Sequence, residues 1–135
     1  CGGPGEAALG HAICMQADAP LENLIGKTSL GALAAVLAEA KLLVSNDTVA
    51  PHLAAAVATP SICILGGWHY GRYHPYATES DRVEHEPRAV VHDMDCFGCD
   101  WQCIYETDPL EPKPCVAHIT FEAVWQAITE VLGDD

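Results

Sequence analysis

The chain has 135 residues, half of them hydrophobic, and a formal net charge of −13. That length suits one domain with a core of its own, and no apolar run approaches the roughly 18 residues that span a bilayer. The acidic balance excludes nonspecific docking on nucleic acid or anionic lipid, since both demand a basic face, but it leaves room for a small phosphorylated ligand held by backbone amides.

The opening Cys1-Gly2-Gly3-Pro4-Gly5-Glu6 is a glycine turn with no strand before it. In a parallel α/β sheet such a turn follows a strand, so the expectation is a domain lacking its first strand. Residues 6–17 predict a helix. The glycines do not satisfy G-x-G-x-x-G, so the dinucleotide fingerprint is absent. Leu24-Ile25 predicts a short strand. Gly26-Lys27-Thr28-Ser29 is no Walker A motif, because Leu21 stands where that motif needs glycine. Thr28 or Ser29 is instead a helix cap, and Leu30, Leu33, Leu37 and Ala40 repeat at helical spacing as a core stripe. Lys27, at the mouth of that helix, is either a solvated lysine or a ligand contact.

Lys41 to Gly67, KLLVSNDTVAPHLAAAVATPSICILGG, is the most informative stretch. Leu42 to Val44 predicts a strand buried on both faces, LAAAVA a helix of small residues, and Ser61 to Leu65 a second strand. Strand, helix and strand form a crossover unit, and ligands of open α/β sheets bind at the carboxyl ends of the strands. Residues 45–52 occupy one such end and Gly66-Gly67 the next. Asp47 and Thr48 suit a helix N-cap and Pro51 a first turn. The same helix start offers the amides of Thr48, Val49 and Ala50 to a phosphate. Capping and anion binding are both open on these residues, and His52 reads either as a packed histidine or as part of the site.

Residues 68–76, WHYGRYHPY, form an aromatic, histidine-rich loop at a strand end. Its rings can stack on a base or sugar, and Arg72 can meet a phosphate. Val83 to His92 predicts another strand. Thr120 predicts the cap of a last helix with Phe121, Val124, Trp125, Ile128 and Leu132 on its apolar face.

Of the seven cysteines, Cys96, Cys99, Cys103 and Cys115 share one loop, residues 93–116. Their spacing approximates a four-thiolate zinc site and, in second place, an iron–sulfur loop; disulfides and reduced structural thiols are the alternatives. Bound there, a metal would order the loop and leave no open position for chemistry. Cys63, inside a predicted strand, is expected to be an inert core thiol.

Taken in order, GGPGE, LIGKTSL, LLVSNDTVAPHLAAAVATP, ILGG and HPY resemble the carboxyl-terminal half of glycosyltransferase family 9, the ADP-heptose:lipopolysaccharide heptosyltransferases and their relatives. The loop CFGCDWQC is also similar to one found in many members. The resemblance implies a Rossmann-like three-layer α/β domain with a parallel sheet, the donor-binding half of a GT-B enzyme, spanning residues 1–135 without the amino-terminal acceptor domain. It implies a nucleotide-diphospho-sugar such as ADP-heptose as ligand, a lipopolysaccharide or other glycan acceptor reached through the absent domain, and a cytoplasmic location, peripheral to the inner membrane. Transfer would be inverting, with no cofactor required. Asp47 would orient the sugar, Thr48, Val49 and Ala50 would cradle the diphosphate, and His52 would support the turn. Lys27 and Thr28 would lie near the nucleoside, with Gly66, Gly67 and Arg72 at the neighbouring strand end. No catalytic residue is expected in this half, so the isolated chain is expected to be inactive. Val49 stands where the family has glycine, and Gly66-Gly67 where it has Gly-Pro. A non-catalytic nucleotide- or sugar-phosphate-binding module, such as a truncated remnant, and a nucleotide-sugar epimerase are the competing expectations.

Overall fold

The computed structural model describes residues 1–76, 85–108 and 111–133. The chain divides into two compact units, Cys1–Val36 and Leu37–Asp135.

In the first unit a 3-10 turn, Pro4–Glu6, leads into α1, Ala7–Gln16. The Glu6 carboxylate accepts from the Gly3 amide at 2.7 Å and so ties the turn to its start. Leu24-Ile25 is not a strand. The Ile25 amide donates to Asn23 Oδ1 at 3.0 Å and the Lys27 amide to the Leu24 carbonyl at 3.1 Å. This side-chain-to-backbone closure turns the chain at a point where two apolar residues have no ladder to join. The next helix, α2, covers Leu30–Ala38. Ser29 caps it, its Oγ accepting from the Ala32 amide at 3.2 Å. The expected stripe is only partly core: Leu37 is buried, Leu30 is exposed, and Ala40 lies beyond the helix.

In the second unit β1 (Leu43–Asn46), α3 (Val49–Ala56), β2 (Ser61–Ile64) and β3 (Arg88–Val90) precede α4 (Pro114–Ala117) and α5 (Phe121–Leu132). The sheet is parallel in the order β1-β2-β3, with Leu43 opposite Ser61 and Ile62 opposite Arg88. This is the small parallel α/β arrangement that the sequence predicts. The first strand differs in burial. It is an edge strand that alternates between half-buried and exposed residues, so Val44 meets solvent where burial on both faces was expected. The central strand carries the buried run, with Ile62 and Cys63 wholly inaccessible. The third strand realises the Arg88–Val90 part of the predicted segment, and Val83 lies outside the described residues.

Side chains alternate across a strand. Ile62 and Val90 accordingly point to one face, where they pack with Ala127, Val124, Ile128 and Val131 of α5. Cys63 points to the other. Thr120 caps α5 as predicted, accepting from the Ala123 amide at 3.2 Å. The buried face of the helix is rotated from the predicted one. Val124 and Ile128 belong to it, but Ala127 is its centre, while Phe121, Trp125 and Leu132 are exposed. Only a residue as small as alanine lets the helix approach Ile62 and Val90 closely. Phe121 and Trp125 stack on each other outside, with ring centroids 6.0 Å apart. None of the described helices is long and apolar enough to cross a membrane.

This packing separates two substitutions that the sequence pattern treats alike. Ile62→Ala should cost about 2–5 kcal/mol in urea denaturation through the cavity it leaves. Trp125→Gln, on the exposed face, should stay within about 1 kcal/mol of the parent.

Candidate functional site

The carboxyl end of β1 delivers Asp47, whose amide extends the ladder by donating to the Ile64 carbonyl at 3.2 Å. Thr48 is the N-cap of α3, with an extended backbone and a side chain that accepts from the Ala50 amide at 3.3 Å. The Ala50 amide, one of the three in the expected phosphate cradle, thus serves the Thr48 hydroxyl. A bond of that length is weak and readily exchanged for a charged acceptor.

A cleft of about 380 Å³ opens here, lined by Asp47, Thr48, Val49, His52, His69 and Tyr73. Four of these residues were legible as site candidates in the sequence. His69 and Tyr73 come from the aromatic loop and were not singled out within it. The signal that marks them is the pairing of histidines with aromatics directly after a strand end.

His69 Nδ1 contacts Asp47 Oδ2. Its other ring nitrogen, Nε2, accepts from the Trp101 indole N–H at 3.2 Å. An indole can only donate, so Nε2 carries no proton in that contact and the neutral ring holds its proton on Nδ1, facing the carboxylate. The indole fixes the imidazole tautomer, and the imidazole directs the carboxylate. Trp101 also stacks on Trp68 at 4.7 Å.

Beneath Asp47 lies His74, completely buried, with neither ring nitrogen hydrogen-bonded among the described residues. Its Nε2 stands 3.7 Å from Asp47 Oδ1. Burial holds this imidazole below its ordinary value, and Asp47 pulls the other way. The His74 ring stacks on His52, with centroids 5.1 Å apart, and on Tyr76 at 5.6 Å. The Tyr76 hydroxyl in turn lies 2.8 Å from His52 Nδ1. His52 thus packs among rings and also lines the cleft, joining the two readings the sequence left open. Cys63 completes the floor. Its thiol is pushed up to about 12, chiefly by burial and then by Asp47.

The remaining candidates are placed differently. Gly66 and Gly67 lie under aromatic rings: a Cβ at Gly66 would meet Trp68 at 2.4 Å, and one at Gly67 would meet Phe97 at 2.7 Å. Both are required for that close approach. Arg72 is exposed, paired with Asp100 and set over the Tyr73 ring at 5.4 Å. Lys27, exposed, and Thr28, half-buried, belong to the first unit.

All seven cysteines are free. In the loop group Cys115 is buried and Cys96, Cys99 and Cys103 are half-buried. The Cys96 thiol is raised, by desolvation first and then by the neighbouring Cys99, Cys103 and Cys115. Among the described residues, the ligand atoms that converge to within 4.8 Å of one another belong to Asp47, Cys63 and His74 instead.

The family model for glycosyltransferase family 9 (heptosyltransferase) matches residues 1–96. No curated protein and no solved structure matches the chain.

Differential alkylation checks the assignment of the thiols. With its pKa near 12, Cys63 holds a thiolate fraction on the order of 10⁻⁵ at neutral pH. Iodoacetamide should modify exposed Cys1 in the native protein and reach Cys63 only after denaturation, as read by peptide mass spectrometry.

Proposed function

The chain belongs to glycosyltransferase family 9, the heptosyltransferase family, and on that premise we propose that its Asp47 cleft binds the donor, a nucleotide-diphospho-sugar of the ADP-heptose type. The observation that carries this reading is the cleft itself. It opens at the carboxyl end of a parallel strand, over the first turn of α3, within the stretch that matches the family.

The diphosphate lies against the α3 amino terminus, on the amides of Thr48, Val49 and Ala50, with the last released from the Thr48 hydroxyl. Backbone donors and the helix dipole meet the charge that grows on the leaving diphosphate as the glycosidic bond to it breaks. Arg72 reaches the same charge by exchanging its exposed pairing with Asp100, a contact worth little in water. Asp47 accepts from hydroxyls of the transferred sugar. One carboxylate oxygen is occupied by His69, but each oxygen has two lone pairs, so acceptor capacity remains. Tyr73 offers a ring face beside it. The acceptor is lipopolysaccharide or another glycan, attacking with inversion, and the reaction is cytoplasmic. We assign no catalytic base to these residues. Their work is holding the donor and stabilising the leaving group.

Calorimetric titration of the folded chain with ADP-, UDP- and GDP-sugars tests the reading. Binding of at least one is expected, and no heat with any of them overturns it. Asp47→Ala should weaken the sugar nucleotide roughly tenfold more than the bare nucleoside diphosphate, the scale of one charge-assisted hydrogen bond. Equal loss for both removes the sugar contact from the proposal.

A further inference from the structure

We propose that Asp47, Cys63 and His74 form a binding site for a thiophilic divalent cation of the zinc class, set in the floor beneath the cleft. Three observations converge on it. One oxygen of Asp47, the Cys63 sulfur and a ring nitrogen of His74 all lie within 4.8 Å of one another. Cys63 and His74 are completely inaccessible to solvent. Neither nitrogen of His74 has a hydrogen-bond partner among the described residues. A buried polar ring without partners costs free energy, and an unseen ion or water is the usual resolution.

The spacing favours an ion. His74 Nε2 and Asp47 Oδ1 are 3.7 Å apart, too long for a hydrogen bond. Two ligands held at about 2.1 Å by a tetrahedral centre stand roughly 3.4 Å apart, so the pair needs only a few tenths of an ångström of closure. A thiolate, an imidazole and a carboxylate are the donor types zinc takes, and sulfur selects against magnesium and calcium. On binding, the Cys63 proton leaves to solvent and the metal–sulfur bond replaces the S–H bond. The neutral imidazole contributes a nitrogen lone pair. Asp47 uses the oxygen turned away from His69, whose contact then orients the coordinating carboxylate from outside the metal shell. Three protein ligands leave a fourth position open. Backbone geometry supports the grouping: Cys63 sits on the sheet face opposite α5, the face that Asp47 and His74 cover.

This site differs from the four-cysteine loop in every ligand, and its test needs no nucleotide, so its failure is distinct from failure of the donor reading. The full chain, purified without chelator, is titrated with Co²⁺ as a spectroscopic probe, and bound zinc is counted after dialysis. Thiolate-to-cobalt charge-transfer absorption is expected, with about one equivalent bound per chain at this site. Cys63→Ser should abolish that absorption, and His74→Gln should weaken binding at least roughly tenfold. Far-UV circular dichroism confirms that each variant is folded, and should Cys63→Ser not fold, His74→Gln carries the same test. The control Cys96→Ser should leave the signal unchanged. Absence of bound metal overturns the proposal, as does binding undiminished in Cys63→Ser and His74→Gln, or binding lost in Cys96→Ser, which would move the ion to the loop.

Discussion

Ser61, Ile62 and Cys63 of β2 are buried and Ile64 is half-buried, and the architecture of the second unit follows from that burial. A central strand of a parallel sheet must be covered on both faces, and strand alternation decides what each face meets. One face carries Ile62 into an apolar cluster with Val90 and α5. The other carries Cys63 toward Asp47 and His74. The same strand therefore anchors the core and floors a polar chamber. Stability and site geometry cannot be altered independently at this point, because shifting the register of β2 by one residue would exchange the two faces.

The polar chamber is governed by Asp47. A carboxylate with so little solvent must be compensated by donors or positive charge. The protein supplies imidazoles, His69 in direct contact and His74 within 3.7 Å. They are not equivalent. The ring of His69 has its tautomer set from outside by Trp101, which makes it a directed donor. The ring of His74 has no hydrogen-bond partner among the described residues to set its tautomer and is disfavoured from charging by burial. One histidine completes the electrostatics of the carboxylate, and the other leaves an unmet coordination demand. That asymmetry is what distinguishes a ligand-ready site from an ordinary buried ion pair.

Legibility followed the range of the interactions. The β1–α3–β2 unit was readable because its signals are local: short apolar runs, a polar turn and a run of alanines between them. The caps at Ser29, Thr48 and Thr120 were readable for the same reason, each satisfying an amide two or three residues on. Leu24-Ile25 failed because a strand exists only with a neighbour, which sequence does not show. The face of α5 was misjudged because periodicity weights bulk, whereas close approach to Ile62 selected Ala127. At the site, Asp47, Thr48, Val49 and His52 were found from the strand end. Cys63 was read as an inert core thiol, and its complete burial and raised pKa agree; what the sequence did not show is that its neighbours come from positions 47 and 74. No spacing rule links those positions, and only the folded sheet brings them together.

The six residues that line the cleft lie within the stretch shared with the family, but their support extends past it. The match ends at residue 96, and the segment immediately beyond it braces the site. The Gly98 amide donates to the Gly67 carbonyl at 2.8 Å, Phe97 packs edge-on to Tyr70, and Trp101 contacts both Trp68 and His69. Asp100 and Trp101 hold left-handed backbone conformations, with φ of 46° and 68°. Aspartate tolerates such a value, but for a side chain as bulky as Trp101 it is unfavourable and persists only where surrounding contacts enforce it. The contacts that do so here are those that present the indole to His69. The cysteine-bearing loop is thus mechanically coupled to the carboxylate at the strand end through one indole and one imidazole. The order of that loop, by whatever means its thiols are held, decides which tautomer faces Asp47.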